Sequence, residues 1–325
     1  MAGILATQNG IAMTLPSLDD IEAAAERIKP RVRRTPCLRT RFINTPLHAG
    51  PLMLKLECLQ VTGSFKARGA NNAILQLDDA ALDRGVITAS GGNHGLALAY
   101  AARASGAKAT VYLPERAAAE KADKLRAWGA EVVVEGLDFD DANQAALGRV
   151  ERDGMTYVHP FESPQIIAGQ GTVGREMMKQ SPDIDVVLVA IGGGGLISGV
   201  ATAVKAMKPD ARVIGIEAVG APTLRASRDA GQLVTLDTID TKANTLAPKR
   251  SADLNFAIIE KLVDDIVLVD DDQMREAARW LWFEMGLAAE LAGAAALAAL
   301  QSGVVSFSPD TNVAAIICGA GQDAF

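Results

Sequence analysis

Lys66 stands in the stretch Thr62-Gly63-Ser64-Phe65-Lys66-Ala67-Arg68-Gly69-Ala70. Gly63 and Ser64 predict a turn with a helix cap, which puts Lys66 in the first helical turn, where burial and the helix end favour the neutral amine. A neutral amine can form an imine with a carbonyl. Taken alone, a lysine is a solvated surface residue; Phe65 beside this one offers an apolar wall for a flat ring. A second candidate is Gly192, Gly193, Gly194 and Gly195, between an apolar strand and a helix. Free backbone amides and a helix N-terminus there make an anion cup suited to phosphate. A plain surface loop would gain nothing from four glycines. The third is Ser90-Gly91-Gly92-Asn93-His94, again strand to turn to helix. Its hydroxyl, amide and imidazole suit a carboxylate or phenolate oxygen, although Ser90 as a cap and Asn93 as a turn residue are the structural alternatives. The fourth is Cys318, at the end of the strand 313–317. It reads either as a small buried hydrophobe or as a neutral, weak hydrogen-bonding partner for a ring nitrogen.

A rival chemistry overlaps the glycine cup. Gly193-x-Gly195-x-x-x-Gly199, the strand 213–216 and Glu217 outline a dinucleotide site with a ribose-binding acid, and hence an NAD-dependent dehydrogenase. The spacing departs from G-x-G-x-x-G, and the unit lies in mid-chain. No H-E-x-x-H, C-x-x-C, G-x-x-x-x-G-K-[ST] or G-x-S-x-G motif is present, and the histidines are His48, His94 and His159. Hydrolase and metalloprotease readings have little to stand on, and no metal is expected.

The elements that must position these groups alternate. Short apolar runs at Leu52–Leu56, Val86–Ala89, 110–113, 132–134, 186–191, 213–216, 266–269 and Val313–Ile317 predict strands. Helical patterns at 95–105, 118–128, 196–207 and 273–285 separate them. This is the signature of βαβ units, so the fold class is α/β. The segment 85–134 reads as a small sheet inserted in a larger one. The chain has 325 residues, 49% hydrophobic and 22% charged, with a net charge of -7 and no basic run, so nucleic acid is not an expected partner. The first ten residues lack the features of a signal peptide. The Ala-rich stretch 286–300 is too short to cross a membrane, for which about 20 apolar residues are needed, and predicts a buried helix. Cys37, Cys58 and Cys318 are odd in number and far apart, which suits a reducing cytoplasm rather than a disulfide framework.

Taken in order, these segments resemble the fold type II pyridoxal-phosphate enzymes (tryptophan synthase β-like), specifically the threonine/serine dehydratase and serine racemase group. The match also includes Arg34-Thr35-Pro36, His159-Pro160-Phe161, 167–172 and 261–265, and covers nearly the whole chain. The resemblance implies a large cofactor-binding domain with a twisted mixed sheet (1–82 and 163–325) and a smaller inserted parallel-sheet domain that docks the substrate carboxylate (83–162). It implies pyridoxal 5'-phosphate held as a Schiff base on Lys66. Phe65 would then lie against the ring, Asn93 on its O3' oxygen, Gly192, Gly193, Gly194 and Gly195 on the phosphate, and Cys318 on the ring nitrogen. Ser64, Ser90, Gly91, Asn93 and His94 would surround the substrate. The implied reaction removes the α-proton with the freed Lys66 amine, expels the β-hydroxyl of a threonine- or serine-like amino acid, and yields a 2-oxo acid and ammonia. A homodimer is the group's common form.

Departures sharpen the expectation. Gly91 stands where serine racemase has a second serine as the opposite-face acid/base, which favours dehydration over racemisation. The group's metal site would use Glu217, the Ala221 carbonyl and an Asp where this chain has Thr223; the lost carboxylate argues against a divalent cation. At 241–245 relatives carry an Asp-Gly pair that is missing here. That change and Gly91 leave a bulkier β-substituent, as in phenylserine or 3-hydroxyaspartate, as an alternative substrate; within the same fold, serine racemisation or β-replacement is the alternative reaction. The end of the chain at Phe325 leaves no room for a C-terminal regulatory domain, so feedback inhibition is not expected.

Overall fold

Runs of Val, Ile and Leu build two large sheets, and the four candidate segments sit where their strands end: three at turns into helices and Cys318 directly after the last strand. The computed structural model describes residues 4–6, 12–115, 117, 119–137 and 139–322. Of the N-terminal residues read for a leader, 1–3 and 7–10 lie outside the described residues, as do 323–325 at the other end.

A short antiparallel ribbon, β1 (Ile4–Ala6) and β2 (Ala12–Thr14), precedes α1 (Leu18–Ile28). Ser17 and Asp20 cap α1 reciprocally, each side chain accepting from the other's amide. Then come β3 (Cys37–Arg39), β4 (Leu52–Leu56), α2 (Lys66–Ile74) and α3 (Asp79–Arg84). The middle of the chain supplies β5 (Val86–Ala89), α4 (Asn93–Ala104), β6 (Ala109–Leu113), α5 (Ala119–Ala127), β7 (Glu131–Val134), α6 (Phe139–Asp153) and β8 (Thr156–Tyr157). The chain continues through α7 (Pro164–Gln180), β9 (Val186–Ala190), α8 (Gly195–Met207), β10 (Arg212–Ala218), α9 (Thr223–Ala230) and α10 (Asp253–Leu262). It closes with β11 (Asp265–Val269), α11 (Asp271–Met285), α12 (Leu291–Gln301) and β12 (Val313–Ile317).

The larger sheet has the order β11-β10-β9-β12-β4-β3 and is parallel except for β3, which runs antiparallel to β4. The smaller one, β7-β6-β5-β8, is wholly parallel. The α/β class and the mixed-plus-parallel arrangement therefore hold. β9 and β12 are buried at every residue, because helices cover both faces and no polar alternation is needed. Four strands escaped the sequence pattern, β1 and β2 of the ribbon and, in the two larger sheets, β3 and β8. β3 is half-exposed and three residues long, and β8 has two residues at a sheet edge. The stretch expected as one buried helix over 286–300 is divided: Gly286, at φ 65, ends α11, and α12 starts at Leu291. The intervening loop carries Ala289, which bridges Ala320, and Glu290.

Candidate active site

Parallel pairing of β4 with β12 sets Ile317 against Leu56, so the chain leaving β4 meets the chain leaving β12. Thr62 and Gly63 both take left-handed conformations, at φ 64 and 83, and reverse the backbone there. For a β-branched threonine this costs conformational energy, of the kind that collects at functional sites. The returning strand docks on β12's exit: Phe65 N donates to Cys318 O at 3.2 Å, Ala320 N to Gly63 O at 2.8 Å, and Ser64 bridges Gly319. The Lys66 segment and Cys318, 252 residues apart in sequence, are thus joined by backbone hydrogen bonds.

Lys66 is the first residue of α2, as its spacing predicts, but Ser64 does not cap that helix. Ser64 is extended (φ -157, ψ 162) and committed to the bridge with Gly319, so the N-cap position falls to Phe65, which makes no side-chain cap. The Ser64 hydroxyl is fully buried and has no hydrogen-bond partner among the described residues. Lys66 is half-buried, its Nζ 5.2 Å from the Phe65 ring centre and donating to the Pro160 carbonyl at 2.5 Å. Burial lowers its pKa to about 8, with Cys318 and Glu290 pulling it part of the way back up.

Phe161, next to Pro160, reaches the glycine loop. Gly194 is left-handed at φ 91 and leads into α8 with no side-chain cap, so the first-turn amides of α8 have no helical acceptor and face outward at the positive helix end. A Cβ on Gly193 would lie 2.3 Å from the Phe161 ring, so only glycine fits under it. Asn255, on the buried face of α10, donates to Gly193 O at 2.7 Å and Phe161 O at 3.2 Å, and Ser251 Oγ donates to Gly193 O at 2.9 Å. The sequence reading missed these loop-fixing residues. Their one signal is an asparagine on an apolar helical face, where amides are rare without a partner.

In the third segment Gly92 precedes α4 and Asn93 opens it. Ser90 Oγ accepts only from Gly92 N, at 3.4 Å, rather than capping the helix. Asn93 Nδ2 donates to Glu290 Oε1 at 2.8 Å, a partner no motif pointed to. A Cβ on Gly91 would lie 2.9 Å from Leu113 Cδ2, so the room its missing side chain leaves is taken by Leu113. His94 is buried with Nε2 donating to Val158 O at 2.9 Å, and burial lowers its pKa to about 3, keeping it neutral. His159 accepts at Nδ1 from the amides of Phe161 and Glu162, at 3.3 and 2.9 Å, and burial holds its pKa at about 4. The Cys318 thiol lies 3.5 Å from Ala292 O and is pushed up by burial, so it stays protonated.

Glu217, the acid of the dinucleotide reading, is fully buried with its oxygens accepting from Leu224 N and Arg225 N at 2.8 Å each. It thereby caps α9, and burial raises its pKa to about 7. Thr223 Oγ1 donates to Pro248 O at 2.7 Å. Among the described residues no cluster of three or more His, Cys, Asp or Glu is placed to hold a metal ion.

The family model described as "pyridoxal-phosphate dependent enzyme" matches residues 28–319. An L-threonine ammonia-lyase of Thermotoga maritima is 42% identical over 87% of this chain and 71% of its own. Among solved structures, a threonine deaminase from T.th. superposes with TM-score 0.89 at 37% identity, over 95% of this chain and 99% of that one. Maize serine racemase superposes with TM-score 0.89 at 35% identity, over 94% and 93%. The residues fit the cofactor that this family carries. They include a half-buried lysine of lowered pKa, a glycine loop with no room for a side chain at Gly193, a neutral thiol at Cys318 and a buried Ser64 hydroxyl without a partner among the described residues. The dinucleotide reading falls with that match: the chain belongs to the family of pyridoxal-phosphate dependent enzymes.

Proposed function

We propose that this chain is a pyridoxal-phosphate-dependent dehydratase, an ammonia-lyase converting a small β-hydroxy amino acid, threonine or serine, to a 2-oxo acid and ammonia. The observation that carries the reading is the Lys66 amine at the start of α2, which donates to Pro160 O and whose pKa burial lowers to about 8. The relatives named as threonine ammonia-lyase and threonine deaminase support the reaction. When bound, pyridoxal phosphate supplies the electron sink. Lys66 would hold it at rest, and the freed Lys66 amine would take the α-proton of the substrate. The Cβ–O bond breaks, the hydroxyl leaves as water, and the released enamine takes up water to give 2-oxo acid and ammonia. The amides of Gly192, Gly193, Gly194 and Gly195 would take the phosphate, Asn93 the ring oxygen, Cys318 the ring nitrogen, and Phe65 the ring face. Ser64, Ser90, Gly91, Asn93 and His94 hold the substrate, His94 through its backbone because Nε2 is committed to Val158. With Leu113 filling the space at Gly91, no hydroxyl stands there to return a proton to the opposite face. This favours elimination over the racemisation for which the maize structure is named.

We also assign 1–82 and 163–325 to a cofactor-binding domain and 83–162 to a substrate-carboxylate domain, and place the enzyme in the cytoplasm as a homodimer. The exposed Phe42 and Phe283 support the dimer. They lie on adjoining segments tied by Glu284, which accepts from Asn44 N and Thr45 N at 2.7 and 3.1 Å; sedimentation at one subunit's mass would remove that assignment.

Isomers of threonine, serine, 3-hydroxyaspartate and phenylserine should be scored for 2-oxo acid, ammonia and inversion at Cα. Ammonia from threonine or serine, lost in Lys66→Ala, supports the proposal. Inversion alone, or consumption of O-acetylserine with sulfide and no ammonia from any hydroxy amino acid, overturns it, and turnover of phenylserine alone moves the substrate to the bulkier class.

A further inference from the structure

Glu290 occupies the N-cap position of α12, where an acid ordinarily accepts from its own helix's amides, yet it makes no cap hydrogen bond. Its Oε1 turns away and accepts from Asn93 Nδ2 at 2.8 Å and from Thr245 Oγ1 at 3.2 Å. These partners open α4 and lie in the 3-10 turn Asn244–Leu246, so one oxygen joins three separate parts of the chain. The meeting takes place over Gly319. A Cβ there would lie 2.3 Å from Glu290 Oε1 and 3.2 Å from Asn93 Nδ2, which no side chain could satisfy without parting the pair.

We propose that Glu290 is a positioning residue: its carboxylate takes one N–H of the Asn93 amide and thereby aims the other at the ring oxygen of the bound cofactor. The proposal rests on the placement of Asn93 beside the cofactor given above. The chemistry is one of acceptor capacity. An ionised carboxylate only accepts, so Asn93 must present its NH₂ group, which has a second hydrogen to spare. A glutamine at 290 can donate as well, which lets the Asn93 amide turn over and present its carbonyl to an anionic oxygen. The titratable groups that face Lys66 are Glu290 and Cys318 from the large-sheet side, with His94 and His159 from the other.

The test compares wild type, Glu290→Gln, Gly319→Ala, Asn93→Ala and the double variant Glu290→Gln/Asn93→Ala. Three readouts are taken: the visible absorbance band of the lysine-bound cofactor, its dissociation constant, and the pH dependence of Lys66 reductive methylation in cofactor-free protein. We expect Glu290→Gln and Gly319→Ala to shift the band in the same direction as Asn93→Ala and to weaken cofactor binding about tenfold. The double variant should be no weaker than Asn93→Ala alone, because the two groups act in series. In cofactor-free Glu290→Gln the Lys66 midpoint should fall below its wild-type position, since a carboxylate that favours the ammonium form has gone. Wild-type bands and affinities in both Glu290→Gln and Gly319→Ala, or additive losses in the double variant, would overturn the proposal. If Glu290→Gln fails to fold, Gly319→Ala carries the comparison. Borohydride fixation of the cofactor to a lysine other than Lys66 would instead overturn the underlying functional reading.

Discussion

Lys66 and Arg68 lie two residues apart on the first turn of α2, and the chain treats the two cations in opposite ways. Arg68 is 1% exposed and fully engaged: Nε and Nη2 grip both oxygens of Glu57, at 2.8 and 2.7 Å, and Nη2 also meets Glu176 at 3.1 Å. Thr35 Oγ1 donates to Glu57 Oε1 at 2.5 Å, and the buried Lys55 reaches Glu176 Oε1 at 2.5 Å and Thr35 O at 2.8 Å. Burial works against each charge, but Glu57 and Glu176 more than offset it for Arg68, whose pKa is raised. Lys66 has a carbonyl for its bond, and for it burial wins. One side of the helix commits ion pairs to anchorage; the other withholds them, which leaves an amine fit to react. The anchored side fixes where the reactive side points.

The sharpest way to break this contrast is to remove the reactive member. Lys66→Ala should lower 2-oxo acid release by at least about 10⁴-fold, since both the covalent attachment and the base are lost, while the thermal midpoint of the cofactor-free protein stays close to wild type. A collapse of stability with retained turnover would invert the assignment. Next in size is the anchor. Arg68→Met leaves the fully buried Glu57 without its ion-pair partner, while Glu176 keeps Lys55, and should cost about 3–5 kcal/mol in urea unfolding. A cost under about 1 kcal/mol would mean that the network is not what holds α2. Third is the pH dependence of cofactor capture, which needs the neutral amine. Because the Lys66 pKa is lowered to about 8, the reconstitution rate should rise through that pH and level off above it. At pH 8 it should exceed that expected of an unshifted lysine, with its pKa near 10.4, by about two orders of magnitude. A midpoint near the unshifted value would show that the burial effect is absent.

How much of this could be read from the sequence divides along the same line. The strands Leu52–Leu56, Val86–Ala89 and Val313–Ile317 begin and end where their apolar runs do, because a strand buried on both faces writes itself as continuous hydrophobicity. Lys66, the glycine loop and Cys318 were legible as local patterns at strand-helix joints. What stayed hidden was long-range and polar. Glu290 meets Asn93 across 197 residues, Asn255 meets Gly193 across 62, and Arg68 meets Glu176 across 108. Nothing periodic marks such pairs, since a hydrogen-bond partner is specified only once the backbone is folded. Ser64 was misread for a related reason. Its position before a helix predicts a cap, but pairing with Gly319 holds it extended and directs its hydroxyl elsewhere.

That hydroxyl gives the finest version of the comparison. Ser64 is as fully buried as Glu57, yet its Oγ has no hydrogen-bond partner among the described residues, whereas Glu57 accepts from both Arg68 and Thr35. A buried hydroxyl without a partner keeps its desolvation cost, of order 1 kcal/mol or more, and gains nothing in return. Its removal should therefore not weaken the fold. Ser64→Ala should unfold in urea within about 0.5 kcal/mol of wild type when free of cofactor, or become slightly more stable. In the loaded enzyme the same change should raise the substrate KM several-fold with a smaller effect on kcat, because in the proposed site the substrate carboxylate makes the bond that the hydroxyl lacks. An unchanged KM with a clear loss of stability would show that Ser64 belongs with Arg68 and Glu57, as part of the anchor rather than of the site.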